Sequence, residues 1–189
     1  MTGEWCYFKN AISKDVCEFI IREFSKLPKS YASVGVAGEL SVEGVRKSKV
    51  SFVSKENDLY SPIVSELWNL ALQANDDFFN FNVTKLDYVQ FAEYDESYSG
   101  NYKRHHDVFW MNGDPKYHRK LTCVVQLTDV SDYSGGDLQL FSDKQPNYDD
   151  FMSQGTVVFF PSFIEHQVNP VTKGTRHSLT AWFDGPKWT

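Results

Sequence analysis

The second half of the chain constrains the fold most strongly, because after Asn80 it consists of short segments rich in β-branched and aromatic residues. Turn signals built from Gly, Pro, Asp and Ser separate these segments. The pattern predicts seven strands, at about residues 84–93, 102–110, 119–128, 137–141, 156–160, 166–169 and 176–184. A run of short strands of this kind is typical of a mainly β fold.

Two helices are predicted before these strands. Ser13 is a suitable N-cap for a helix to about Leu27. Its predicted buried face consists of Val16, Phe19, Ile20, Phe24 and Leu27. Ser61 and Pro62 are suitable cap and first-turn residues for a second helix, to about Phe78.

The order of the elements, helices first and strands afterwards, predicts a mainly β fold with flanking α. The expected architecture is a double-stranded β-helix (jelly roll) buttressed by N-terminal helices. We expect a single domain over residues 1–189. In it, residues 1–80 form the helical buttress and substrate loop, and residues 81–189 form the jelly-roll core.

The segment between the two helices, residues 29–49, contains three glycines and few large side chains. It is interpreted as a loop or hairpin that closes over a bound substrate, because loops on a rigid scaffold often carry binding. A plain disordered connection fits the same sequence equally well.

Composition and charge restrict the partners. The net charge of −6 argues against a nucleic-acid partner, whose binding depends on basic patches. The three cysteines have no metal-binding spacing and are interpreted as reduced thiols, which favours a cytoplasmic location. No basic-then-apolar segment begins the chain and no apolar run is long enough to span a bilayer, so we expect neither secretion nor a membrane partner.

Three side chains are candidate metal ligands. His105 and Asp107 are two positions apart on a predicted strand, where both point to the same side. His166 follows an apolar strand much later in the chain. Two imidazoles and one carboxylate on one face of an octahedral ion leave three positions open, which is the ligand set of non-haem Fe(II) oxygenases. Taken alone, however, a His-x-Asp pair is more simply a surface or capping pair. His118, in a predicted loop, and His177, on the opposite strand face, are weaker candidates.

A polar stripe on the last predicted strand strengthens the metal-site interpretation. Four side chains at alternate positions share one face, Arg176, Ser178, Thr180 and Trp182. The forked guanidinium of Arg176 suits bidentate binding of a buried carboxylate. The simpler alternative is an exposed edge arginine paired with an acidic side chain.

The sequence from about Lys85 to the C-terminus resembles the 2-oxoglutarate- and Fe(II)-dependent dioxygenases of the prolyl 4-hydroxylase family. Within that family it is similar to the hypoxia-sensing prolyl hydroxylases and their microbial relatives. Five segments carry the resemblance and occur in the family's order. They are residues 102–107 (YKRHHD), 135–141 (GGDLQLF), 155–162 (GTVVFFPS), 166–171 (HQVNPV) and 174–183 (GTRHSLTAWF).

The resemblance implies roles for individual residues. His105, Asp107 and His166 would be the Fe(II) ligands, and Arg176 would bind the distal carboxylate of 2-oxoglutarate. The further positions that the resemblance implies in cosubstrate binding or in the pocket lining are Tyr94, Gln126, Ser178, Thr180 and Trp182, and Arg119 would lie near the substrate. Two features depart from the family: the loop Asp95–Asn101 is one residue longer, and Gln126 stands where the hypoxia-sensing enzymes have a second cosubstrate-binding tyrosine.

The activity that the resemblance implies is hydroxylation of a proline residue in a protein or peptide, with release of succinate and CO2. Its cofactors would be Fe(II), 2-oxoglutarate as cosubstrate and O2. Ascorbate is a further candidate that would support the activity. Two alternatives stay open: a hydroxylase of a free amino acid or other small molecule, and a non-enzymatic jelly-roll module that holds a metal. The absence of a cysteine near the triad argues against a structural zinc site, which usually has four closed ligands.

Overall fold

The structure is a computed structural model, and it describes residues 4–32, 45–54, 56–58, 60–108 and 116–188. Most of the predicted substrate loop lies outside these residues, as does the last part of the strand predicted at 102–110.

The described helices agree with the sequence in number and approximate position. They are α1 (Lys14–Phe24), α2 (Tyr60–Ala74), which continues into a π-helical turn (Asn75–Phe79), and the short α3 (Tyr148–Phe151). Ser13 caps α1 as predicted, since its side chain accepts a hydrogen bond from the Val16 N–H. Helix α2 begins at Tyr60, so Ser61 lies inside the first turn rather than at the cap. None of the described helices is long and apolar enough to cross a membrane.

The predicted face of α1 is partly wrong. Val16 and Phe19 are exposed, and Cys17 is buried instead, together with Ile20 and Phe24. The apolar residues of α1 cover more than one face of the helix, so the sequence alone does not show which face packs on the sheet.

Twelve strands are described, and every one of the seven predicted strands has a counterpart among them. They are β1 (Cys6–Phe8), β2 (Ser30–Tyr31), β3 (Arg46–Lys47), β4 (Lys49–Ser54), β5 (Tyr88–Asp95), β6 (Asn101–His105), β7 (Tyr117–Gln126), β8 (Tyr133–Gly135), β9 (Leu138–Leu140), β10 (Val157–Pro161), β11 (His166–Val168) and β12 (Val171–Pro186).

The strands form two sheets, as expected for a jelly roll. The larger sheet has the order β1-β10-β7-β12-β5-β4-β2, with β8 added at one end of β12, and the smaller has the order β3-β6-β11-β9. Side chains from both sheets pack together in one buried cluster, and α1 and α2 cover the outer face of the larger sheet in a second. The prediction of a mainly β fold buttressed by N-terminal helices is therefore confirmed. The sheets remain open rather than closing into a barrel.

Four of the strands, β1 to β4, precede residue 80, in the part of the chain predicted as helical buttress and loop. Two of them have only two residues, and they are ordered by pairing with β4 and β6 rather than by a pattern of their own. The N-terminal part of the chain therefore belongs to both sheets as well as to the helical layer.

A cluster of charges joins the segment after α1 to the larger sheet. Glu93 on β5 binds the Lys29 ammonium, and its carboxylate lies 3.8 Å from both Lys49 Nζ and His177 Nε2. Hydrogen bonding to His177 and to Lys29 lowers the pKa of the Glu93 carboxyl to about 2, although burial opposes the shift. His177 also stacks on Phe91, on the outer face of the sheet.

This cluster predicts a pH-dependent contribution to stability. Because the folded-state pKa of Glu93 is lowered, its contribution is present above the ordinary pKa near pH 4.3 and is lost as the pH falls towards 2. We expect Glu93→Gln to reduce the free energy of unfolding by about 2 kcal/mol at pH 7 and by much less near pH 2. Urea denaturation at both pH values measures the difference.

The matched control is Glu18→Gln, which removes an exposed ion pair with Lys14 on α1. An exposed pair of this kind should change the free energy of unfolding by less than about 1 kcal/mol. An equal loss for Glu93→Gln at both pH values would show that the carboxylate charge is not what stabilises the cluster.

Candidate functional site

The two candidate histidine ligands face each other across a pair of strands. Strands β6 and β11 are antiparallel neighbours in the smaller sheet, and His105 at the end of β6 is paired with His166 at the start of β11. Their ring centroids are 4.2 Å apart. Pairing of two strands that are distant in sequence thus brings the two imidazoles together.

Asp107 reaches the site in a different way from the one predicted. Strand β6 ends at His105, so Asp107 lies in the bend that follows and does not owe its direction to strand alternation. Its backbone N–H donates to the Ser162 carbonyl at 2.8 Å, and its carboxylate accepts a hydrogen bond of 2.8 Å from the buried Thr122 hydroxyl. The Thr122 and Ser162 hydroxyls are 3.0 Å apart. Strand β7 and the turn after β10 therefore fix the orientation of Asp107.

The hydrogen bonds of the histidines define which ring nitrogen is free. His105 Nδ1 lies 2.8 Å from the Lys103 carbonyl, and His166 Nδ1 lies 3.0 Å from the Ile164 carbonyl. A carbonyl only accepts, so both Nδ1 atoms carry the proton and both Nε2 atoms keep a free lone pair. A backbone acceptor on the second nitrogen is the usual way of orienting a metal-binding imidazole.

The distances fit a divalent ion. The ligand atoms of His105, Asp107 and His166 all lie within 4.8 Å of one another. The Nε2 atoms of His105 and His166 are 3.7 and 3.6 Å from the nearer Asp107 oxygens. Two ligands at right angles, each about 2.1 Å from an ion, are roughly 3 Å apart, so a small rotation of the side chains completes the geometry.

The protonation states also fit metal binding. Burial, together with the neighbouring His166, lowers the pKa of His105 to about 3, which keeps this imidazole neutral. Burial raises the pKa of the Asp107 carboxyl, but the two histidines and Arg119 outweigh that effect and lower it to about 2. A neutral imidazole and an ionised carboxylate are the forms that coordinate a metal.

Arg176 lies in the same cavity, which has a volume of about 210 Å³. Its side chain is 1% exposed, and Nη2 donates to the Gln126 amide oxygen at 2.8 Å. Its Nε and Nη1 have no hydrogen-bond partner among the described residues. Burial of a guanidinium whose Nε and Nη1 lack hydrogen-bond acceptors is energetically unfavourable unless a bound ligand accepts those hydrogen bonds. Gly136, with φ of 70°, packs beside this arginine, where a Cβ would lie 3.2 Å from its Cδ.

The other predicted cosubstrate positions surround Arg176. Tyr94 is buried, with its ring 5.5 Å from the guanidinium carbon, and Ser178 and Thr180 line the cavity on β12. Gln126 lies behind Arg176: its oxygen accepts from the guanidinium and its Nε2 donates to the Met152 sulfur at 3.5 Å. The amide oxygen therefore holds the Arg176 guanidinium in place.

Trp182 and Arg119 form the side of the cavity away from Arg176. The Arg119 guanidinium lies 4.0 Å above the Trp182 ring and donates to the Tyr88 hydroxyl at 2.9 Å. The Trp182 N–H lies near the Asp107 carboxylate and helps to lower its pKa, but the geometry falls short of a hydrogen bond.

Two histidines lie outside the cavity. His177 points to the outer face, as predicted from strand alternation. His118 was predicted in a loop, but it lies on β7, where its Nδ1 accepts from the Trp188 N–H at 3.1 Å. The Gly and Pro residues that suggested a loop precede β7 in the sequence.

Sequence analysis assigned no role to several residues that line or support the site. Arg46 lines the cavity, and Thr122 and Ser162 contact Asp107. Each acts through contacts between distant segments, which no local pattern shows. Tyr102 was noted only as part of a motif, but its ring stacks on His105 at a centroid distance of 3.5 Å.

Residues 89–184 match the family model of the 2OG-Fe(II) oxygenase superfamily, so the chain belongs to this superfamily. The matched segment contains all three candidate metal ligands and Arg176.

The chain is also similar to proteins named PKHD-type hydroxylases. The chain is similar to a PKHD-type hydroxylase of Aliarcobacter butzleri, with 28% identity over 71% of this chain and 60% of that protein. It spans only 35% of the length of each of two further PKHD-type hydroxylases, from Idiomarina loihiensis and Picosynechococcus sp..

Among solved structures, a Pseudomonas putida prolyl-4-hydroxylase shares the fold with a TM-score of 0.72 at 21% identity, covering 98% of this chain and 95% of that one. A prolyl hydroxylase from Trichoplax adhaerens, in complex with a hypoxia inducible factor peptide fragment, shares it with a TM-score of 0.73 at 20% identity, covering 96% and 84%.

Proposed function

We propose that the chain is a 2-oxoglutarate- and Fe(II)-dependent dioxygenase that hydroxylates a proline residue in a protein or peptide. One observation carries the proposal. Three metal ligands in their coordinating forms share a cavity with a buried guanidinium that has two unpaired N–H groups. A structural metal site would not need such an arginine, whereas a site for an ion and a dicarboxylic acid needs both.

Each residue has a definite task in this proposal. His105, Asp107 and His166 would hold Fe(II), and the Arg176 guanidinium would bind the distal carboxylate of 2-oxoglutarate. When bound, this pair supplies the oxidising chemistry: O2 converts 2-oxoglutarate to succinate and CO2, and the second oxygen atom enters a C–H bond of the substrate. Gln126 would fix the direction of Arg176.

A row of aromatic rings supports a peptide substrate. Phe52 is 56% exposed at the mouth of the cavity, its ring centroid is 5.4 Å from that of Tyr88, and Tyr88 is 5.9 Å from Trp182. Rows of aromatic rings are typical of sites that bind extended proline-containing segments. The hydroxylase names of the relatives favour the same substrate class.

We also propose that residues 1–189 form a single domain and that the protein is located in the cytoplasm. Three buried cysteines without a disulfide among the described residues are compatible with a reducing compartment.

The test uses protein loaded with iron under anaerobic conditions and then exposed to O2 and 2-oxoglutarate. We expect succinate to form, and proline-containing peptides to gain one oxygen atom on proline, as measured by mass spectrometry. Turnover with free L-proline but with no peptide would favour the small-molecule hydroxylase. Metal binding without any succinate would favour the non-enzymatic metal-holding module.

A further inference from the structure

A second buried arginine lines the same cavity and has no role in the proposal so far. Arg46, on β3, is 6% exposed. Its Nε donates to the Ser48 hydroxyl at 2.7 Å and its Nη1 donates to the Gln90 amide oxygen at 3.5 Å. The guanidinium lies 4.5 Å from the centre of the Tyr102 ring. All three partners are neutral.

The charge of Arg46 is therefore not balanced within the described part of the chain. No carboxylate there lies within ion-pair distance of it, and the two hydrogen bonds described above use Nε and Nη1. A buried charge without an opposite charge is unfavourable, and removing a guanidinium from water is repaid only by a well-placed partner. Ser48 and Gln90 fix the direction of the guanidinium, which lines the cavity.

The cavity as a whole is positively charged, although the protein carries a net charge of −6. Arg46, Arg119 and Arg176 line it, and Asp107 is the only acidic residue among its described lining residues. With a divalent ion and doubly charged 2-oxoglutarate in place, the lining side chains, the ion and the cosubstrate together would still carry a net positive charge. A cavity of this sign concentrates anions, and its residual charge favours a third carboxylate.

We propose that Arg46 binds a carboxylate of the molecule that is hydroxylated, close to the reacting carbon. The inference rests on the proposed function, and it narrows the substrate to an acidic one. Two sources supply the same chemistry: an Asp or Glu side chain next to the target proline, or the terminal carboxylate of a peptide or free amino acid. Ser48 and Gln90 act as positioning residues for Arg46.

The test is a binding measurement that does not depend on turnover. Protein loaded with Mn(II) and 2-oxoglutarate under anaerobic conditions is titrated calorimetrically with two pairs of probes. One pair is acetyl-Gly-Pro-Glu-amide and acetyl-Gly-Pro-Gln-amide, and the other is acetyl-Gly-Pro with a free or an amidated C-terminus. We expect the carboxylate member of at least one pair to bind at least tenfold more tightly than its neutral partner, and the pair that shows this identifies the source.

Substitutions then assign the preference to Arg46. Arg46→Gln should remove the preference, and Arg46→Lys, which keeps the charge but loses the fork, should keep part of it. Arg22→Gln, an exposed arginine on α1, is the matched control and should leave the preference unchanged. If the neutral variant Arg46→Gln fails to fold, Arg46→Lys still tests the role of the guanidinium, because it keeps the charge.

The inference is overturned if the carboxylate and neutral probes bind equally, if no probe binds, or if Arg46→Gln retains the preference. Succinate formation by the iron-loaded wild-type protein, measured in parallel, separates this failure from that of the proposed function. Normal succinate formation without a carboxylate preference would contradict only the proposed role of Arg46. Absence of succinate formation would contradict the proposed function itself.

Discussion

His166→Ala should reduce iron-dependent conversion of 2-oxoglutarate to succinate by at least about 10³-fold, since a bound metal contributes several kcal/mol and each 1.4 kcal/mol is a factor of ten. In the proposed site the imidazole is one of three candidate ligands among the described residues, and its Nε2 is 3.6 Å from the Asp107 carboxylate. Without it the ion would keep two ligands. Anaerobic iron titration and succinate quantification measure the two effects separately.

The same substitution should leave the metal-free protein folded. Without a metal, the Nε2 lone pairs of His105 and His166 are unused, and the His166 ring stabilises the fold only through its Nδ1 hydrogen bond and its packing on Phe160. We therefore expect the metal-free melting temperature of His166→Ala to be only a few degrees below that of the wild type. Added metal should raise the melting temperature of the wild type only, because a ligand stabilises the state that binds it.

His118→Gln is the matched control for this experiment. His118 lies on β7, outside the cavity, and its contact is with the Trp188 backbone. The control should keep both iron binding and turnover. Wild-type turnover by His166→Ala would remove His166 from the site, and loss of folding in the metal-free variant would show that its role is structural.

Local pattern was sufficient for those parts of the site that lie on one continuous strand. Arg176, Ser178, Thr180 and Trp182 line the cavity because alternate residues of β12 point inward, and this alternation is visible in the sequence. The Ser13 cap of α1 depends on its immediate neighbours in the same way.

Features that depend on contacts between distant segments could not be predicted. The position of Asp107 does not follow from strand alternation: the Thr122 hydroxyl on β7 and the Ser162 carbonyl, in the turn after β10, orient it. Strands β2 and β3 have two residues each, too few for a periodic pattern. Arg46 becomes notable only when its neighbours Ser48, Gln90 and Tyr102 are seen to be neutral.

Arg176→Lys should raise the concentration of 2-oxoglutarate needed for half-maximal turnover by about 100-fold, which corresponds to one or two charge-assisted hydrogen bonds. Arg176 donates to Gln126 through Nη2, and its Nε and Nη1 have no hydrogen-bond partner among the described residues. A lysine ammonium is a point charge and cannot reproduce the planar, forked donors of a guanidinium. It would also leave the Gln126 amide oxygen or the carboxylate without its donor.

The maximal rate should change much less than the 2-oxoglutarate requirement, because the distal carboxylate does not react and its binding energy is equal in the ground and transition states. Titration of 2-oxoglutarate at saturating iron separates the two parameters. Arg104→Lys, on β6 but exposed and paired with Glu165, is the matched control and should leave both unchanged. An unchanged 2-oxoglutarate requirement in Arg176→Lys would mean that another group binds the cosubstrate. A different anion would then have to accept hydrogen bonds from Nε and Nη1 of Arg176, which are buried in the same cavity as the candidate metal ligands.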